Sequence, residues 1–94
     1  MFILKEVDEM WEKFSSSAYK PNILDGKTKE LIAVSNSVMA DCTPCLEYHY
    51  KRAVNAGASR EEIAESLAIA LSISAGSKKA KYSGVINALD VDVK

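Results

Sequence analysis

Apolar side chains recur along this chain at intervals of three and four residues, and no segment alternates apolar and polar positions over the length of a strand. An α-helix turns once in about 3.6 residues, so this spacing lines one helix face after another and leaves nothing to form the half-buried face of a sheet. The fold class expected is all-α, a single helical domain over residues 1–94.

Ile3, Val7, Met10 and Phe14, with Trp11 alongside, predict an amphipathic helix over about residues 2–17, and Tyr19-Lys20-Pro21-Asn22 reads as a loop. Asp25 is placed to cap a second helix carrying the stripe Leu31, Val34 and Val38. A third helix is expected over about 44–56, stopped by Gly57, a natural left-handed terminator. Ser59-Arg60-Glu61-Glu62 matches the Ser-x-x-Glu capping box, in which each side chain satisfies a free backbone N–H of the other residue. The helix it starts should face inward through Ile63, Leu67, Ala70, Leu71 and Ser74. Gly76-Ser77 is expected to break it before a last helix to about residue 89, with Lys78, Lys79 and Lys81 on the wet face, which makes about five helices.

A chain of 94 residues buries a limited fraction of its surface, so Phe2, Met10, Trp11 and Phe14 are expected to add core at contacts between subunits. The net charge of −1 excludes a general electrostatic attraction to nucleic acid or to acidic membranes. The apolar run Phe2-Ile3-Leu4 is too short for a secretory signal or a membrane span, and the expected location is cytoplasmic.

Both cysteines and the single histidine fall within Asp41-Cys42-Thr43-Pro44-Cys45-Leu46-Glu47-Tyr48-His49. Pro44 suits the first position of a helix, with Thr43 as its cap and Asp41 as the alternative. Cys45 then lies in the first turn, where unpaired backbone N–H groups and the helix dipole favour thiolate over thiol. His49 follows four residues later on the same face, within reach of that sulfur or of a water bound to it. Cys42 and Cys45 have the spacing of dithiols that close a small reversible disulfide, and in a reducing compartment a CxxC is redox-active or metal-binding rather than a structural staple. A zinc site would have Cys42, Cys45 and His49 as ligands but lacks a fourth Cys or His. The cysteines can also be read as small core residues. Glu30 lies one residue from the second helix's apolar stripe, and periodicity alone makes it a solvated charge.

The stretches Leu24-Asp25-Gly26-Lys27-Thr28-Lys29-Glu30-Leu31-Ile32, Cys42-Thr43-Pro44-Cys45-Leu46-Glu47-Tyr48-His49 and Ala56-Gly57-Ala58-Ser59-Arg60-Glu61-Glu62-Ile63 resemble the carboxymuconolactone decarboxylase family, and within it the AhpD-like alkylhydroperoxidase branch. That branch has a Glu twelve positions before a CxxC and a His four after its second Cys, and Glu30, Cys42, Cys45 and His49 fit the pattern. Some of its peroxidases carry a His inside the CxxC, where this chain has Pro44. The decarboxylase branch acts on a lactone and does not depend on a CxxC. The resemblance implies a homotrimer or homohexamer with active sites near subunit contacts. It also implies a Glu/His proton relay to the cysteines and thiol-dependent reduction of a peroxide, recycled by an external dithiol of lipoyl or thioredoxin-like type. On that basis Glu30 moves from solvent to the relay.

The expected function is therefore a thiol peroxidase with catalytic residues Glu30, Cys42, Cys45 and His49, and with no cofactor or metal. Cys45 is assigned as attacker and Cys42 as resolver, with the reverse order open; accessibility favours Cys42 as the recycling end. Two alternatives use the same residues: a disulfide oxidoreductase acting on a protein or small-molecule disulfide, and a non-catalytic oligomeric module that binds metal or senses redox state.

Overall fold

A computed structural model describes residues 3–93, and it is all-helical: α1 (Lys5–Tyr19), α2 (Gly26–Met39), α3 (Thr43–Asn55) and α4 (Arg60–Asp90). Phe2, expected at a subunit contact, lies outside the described residues. The centre of the fold is α2, which packs on α3 and α4 and, more lightly, on α1. Val34 of α2, Ala53 of α3 and Ile63 of α4 meet in a small core bordered by Leu31, Leu46, Ala58 and Leu67.

The helix ends explain the path of the chain. Asp25 caps α2 by accepting a 2.7 Å hydrogen bond from the Thr28 N–H. At the other end of α2 the chain reverses in a Schellman motif: Cys42 N–H donates to Ser37 O at 3.0 Å and Asp41 N–H to Val38 O at 3.1 Å. Asp41 takes the left-handed position, with φ 54°, a conformation that Asp tolerates better than most side chains. Helix α3 ends the same way, Ala58 N–H bonding to Ala53 O at 2.9 Å and Gly57 N–H to Val54 O at 3.0 Å, with Gly57 at φ 95°. The capping box at α4 forms as the sequence implied: Glu62 N–H to Ser59 Oγ is 3.0 Å and Ser59 N–H to Glu62 Oε1 is 2.9 Å. The second oxygen of Glu62 meets Lys27 Nζ at 2.8 Å, tying the start of α4 to the start of α2.

Three local expectations need correction. The break at Gly76-Ser77 is absent and α4 runs unbroken for 31 residues, so the described residues form four helices where about five were expected. A lone glycine costs a helix about 1 kcal/mol, which is too little to stop it when the helix formers Lys78 to Lys81 follow and no left-handed cap satisfies the freed carbonyls. The cap of α3 is Cys42 rather than Thr43, which is already helical, and Asp41 is the corner residue rather than an alternative cap. Leu71 is exposed instead of facing inward, whereas Ile63 and Ala70 are buried and Leu67 and Ser74 half-buried.

Much apolar surface is left uncovered. Helix α1 buries no residue, and Met10, Trp11 and Phe14 lie open on it. Beyond Ala70, α4 projects from the core and gives the chain a long dimension of 58 Å, with Ile73, Tyr82, Val85, Ile86 and Leu89 all more than 45% exposed. Among the described residues no helix is long and apolar enough to cross a membrane.

Candidate active site

The corner between α2 and α3 brings the chemistry together. Cys42 serves both helices: its N–H closes the end of α2, and its Sγ accepts a 3.2 Å hydrogen bond from the Cys45 N–H at the start of α3. Sulfur is a weak acceptor and is not among the favoured caps, so Thr43 and Asp41 drew the assignment in sequence. Cys42 and Cys45 form a disulfide, with Cα atoms 5.2 Å apart. Among the described residues no group of three or more His, Cys, Asp and Glu is arranged to hold a metal ion.

One turn along α3, His49 is buried against α2. Its Nδ1–H donates to Glu30 Oε2 at 2.8 Å, since a carboxylate oxygen only accepts. Glu30 is itself buried, with 4% of its side chain exposed, and is not the solvated charge that periodicity alone suggested. It lies at the face of α2 that meets α3, and its second oxygen accepts from Arg52 Nε at 2.8 Å. Both carboxylate oxygens are thus satisfied, and no buried side-chain polar atom among the described residues lacks a partner.

The imidazole is fixed from two further sides. The Tyr19 ring from the end of α1 lies over it at a centroid distance of 4.7 Å, and the Tyr48 ring stands edge-on to it at 5.0 Å. With Nδ1 committed to Glu30, Nε2 is the nitrogen left for chemistry. His49 and Cys45 both line a cleft of about 190 Å³, together with Tyr19, Asn36 and Ser37. Cys42 opens instead onto a separate cleft of about 350 Å³ with Ser37, Asp41, Thr43 and Leu46. Cys45 is exposed and Cys42 half-buried, whereas Cys42 was expected from sequence to be the more accessible end.

The four residues singled out in sequence form a chain of neighbours: Glu30 bonds His49, His49 shares a cleft with Cys45, and Cys45 is bonded to Cys42. Two neighbours were missed. Arg52 holds Glu30 and also reaches the Tyr48 hydroxyl through Nη1 at 3.2 Å, with its guanidinium 5.4 Å from the Tyr48 ring centroid. The hydrogen bond to Glu30, followed by the charge of Glu30, holds the Arg52 guanidinium above its ordinary range. The signal was its position three residues after His49 and four after Tyr48, on one helix face. Tyr19 had no such signal, because its place depends on how α1 folds back.

The chain resembles proteins whose sequences or structures are known. A curated relative from Paracoccus denitrificans, uncharacterized protein 4 in the cox locus, is 32% identical over 84 residues, covering 89% of this chain and 76% of that protein. An uncharacterized protein from Cupriavidus necator is 35% identical over 77% of this chain and 69% of its own length. A solved structure from Methanobacterium thermoautotrophicum matches with a TM-score of 0.79 at 33% identity, over 89% of this chain and 97% of that one. A structure from Thermotoga maritima matches at 40% identity and a TM-score of 0.68, over 71% of this chain and 69% of that one. The Thermotoga protein is described as a carboxymuconolactone decarboxylase family protein with a suggested part in an antioxidative response. The model of the same family matches residues 5–87, a span that holds the core and every residue of the corner between α2 and α3. By sequence and by fold, this chain belongs to the carboxymuconolactone decarboxylase family.

Proposed function

We propose that this protein is a thiol-dependent peroxidase that cycles Cys42 and Cys45 between dithiol and disulfide, with His49 and Glu30 as its proton relay. The observation that carries this reading is the division of the His49 ring. One nitrogen is held by buried Glu30, while the ring shares a cleft with Cys45. A base oriented by a carboxylate beside a nucleophilic sulfur is the arrangement that activates a thiol.

In the reduced protein the Cys45 proton passes to His49 Nε2, directly or through water. The thiolate attacks one oxygen of a hydroperoxide, an S–O bond forms as the O–O bond breaks, and the departing alkoxide takes the proton back from the imidazolium. Cys45 is left as a sulfenic acid. The Cys42 sulfur attacks it, water leaves, and the disulfide closes. An external dithiol of lipoyl or thioredoxin-like type then attacks exposed Cys45 and displaces Cys42. Cys42 is a good leaving group because its sulfur sits at the start of α3, where the Cys45 N–H and the helix dipole stabilise a thiolate. The second thiol of the reductant frees Cys45, so each cycle converts one hydroperoxide and one dithiol to an alcohol, water and a disulfide.

The exposure of Cys45 also suits a second reading, in which the same pair exchanges with a disulfide on another molecule. The uncovered apolar faces of α1 and α4 support burial against other copies of the chain; a homotrimer or homohexamer in the cytoplasm is proposed from the family resemblance. The deciding experiment follows hydroperoxide and dithiol together. Equimolar consumption of both, abolished in Cys45→Ser, is expected; dithiol oxidation by a disulfide substrate with no loss of peroxide would select the second reading.

A further inference from the structure

We infer that Arg52 is a positioning residue that supplies the countercharge for Glu30 and so leaves His49 free to take up and release a proton. This rests on the reading of His49 as the base beside Cys45.

A carboxylate removed from water needs a balancing charge. If His49 were the sole partner of Glu30, the ring would have to supply that charge as imidazolium, and a ring so committed cannot accept a proton from a thiol. Arg52 removes the requirement. Its guanidinium is permanently charged, and its Nε–H lies 2.8 Å from Glu30 Oε1 while His49 takes the other oxygen. During the peroxide cycle the proton then moves from Cys45 to Nε2 and on to the alkoxide, with Glu30 and Arg52 keeping their charges throughout.

The neighbours of the ring single out Arg52. From α2 the ring meets Glu30, and from α1 it meets Tyr19, with Glu12 lining the same cleft. From its own helix it is near Cys45, Tyr48 and Arg52. Arg52 is the one permanent cation in that set. Its grip on the Tyr48 hydroxyl also holds the ring that stands edge-on to His49, so it braces the imidazole through two routes. The Arg52 side chain is 47% exposed, so replacing it leaves the core cluster untouched.

His49 is the single histidine in the sequence, and its ring resonances give one proton-binding curve for the reduced, full-length protein. In Arg52→Met the midpoint of that curve should move up by about one pH unit relative to wild type, a proton held about tenfold more tightly. Arg52→Lys, which keeps the charge, should stay near wild type. Arg52→Gln keeps a donor for Glu30 without the charge and should follow Arg52→Met, which covers the case in which the Met variant fails to fold by circular dichroism. A Met or Gln curve that superimposes on wild type overturns the inference, as does a Lys variant that moves as far as the uncharged ones. No peroxide is present, so the result stands apart from peroxidase activity: a charge-dependent shift in a protein that does not consume peroxide would remove the peroxidase and leave the role of Arg52.

Discussion

Glu30 and His49 lie nineteen residues apart on neighbouring helices and are joined by a hydrogen bond of 2.8 Å between Oε2 and Nδ1, with both side chains buried. The bond fixes the tautomer of the ring and leaves its other nitrogen free of Glu30. Gln at position 30 keeps the shape and an acceptor but loses the charge. Glu30→Gln should therefore preserve helicity while slowing alkylation of the reduced thiols at neutral pH, and the slowing should shrink as pH rises and the thiols ionise unaided. Equal alkylation rates in the two proteins at every pH would detach Glu30 from the cysteines.

Asp41 sets the corner that carries Cys42. Its backbone is left-handed at φ 54°, so the side chain decides how much strain the reversal holds. Asp41→Gly should match wild type in urea unfolding or exceed it slightly. Asp41→Val, with a branched β-carbon, should lose about 1–2 kcal/mol.

At the start of α4, Glu62 bonds the Ser59 N–H and pairs with Lys27, and the hydrogen bond from Lys27 followed by that from Ser59 draws its carboxyl below the usual range. The Asp25 carboxyl is also lowered, first by the Thr28 backbone N–H. Groups lowered in this way stabilise the fold above their unfolded values, about 3.9 for Asp and about 4.3 for Glu, and the contribution is lost as pH falls through the folded values. The urea midpoint should fall on acidification below about pH 5, and Glu62→Gln should flatten part of that limb. Both groups are at the surface, so added salt should weaken the effect of the Lys27 pair.

The open apolar stripe of α4 formed by Tyr82, Ile86 and Leu89 should be covered by other copies of the chain. Light scattering at micromolar concentration should report an oligomer, and Ile86→Glu together with Leu89→Glu should reduce its mass. A wild-type monomer would remove the proposed assembly.

Local chemistry was readable where a side chain acts on its own backbone. Asp25, Gly57 and the Ser59/Glu62 pair each mark a helix end through a bond to a residue a few positions away, and each stands where the sequence put it. Periodicity failed where the deciding partner was distant. Glu30 looks like one more surface charge until α3 is laid beside it, and Leu71 looks internal although it stands at the edge of the face that Ile63 and Ala70 bury. Gly76 resembled a stop, but a stop needs a cap as well as a weak helix former. Arg52 was legible from its spacing to His49 but was overshadowed by the cysteines.

The most direct measurement counts thiols. Fully reduced protein given one equivalent of a hydroperoxide should lose both free thiols and two mass units by forming the Cys42–Cys45 disulfide seen in the structure, while the Cys42→Ser variant should retain an added oxygen on Cys45. Two free thiols in the wild-type protein after the peroxide has been offered would contradict a redox role for this pair in peroxide reduction.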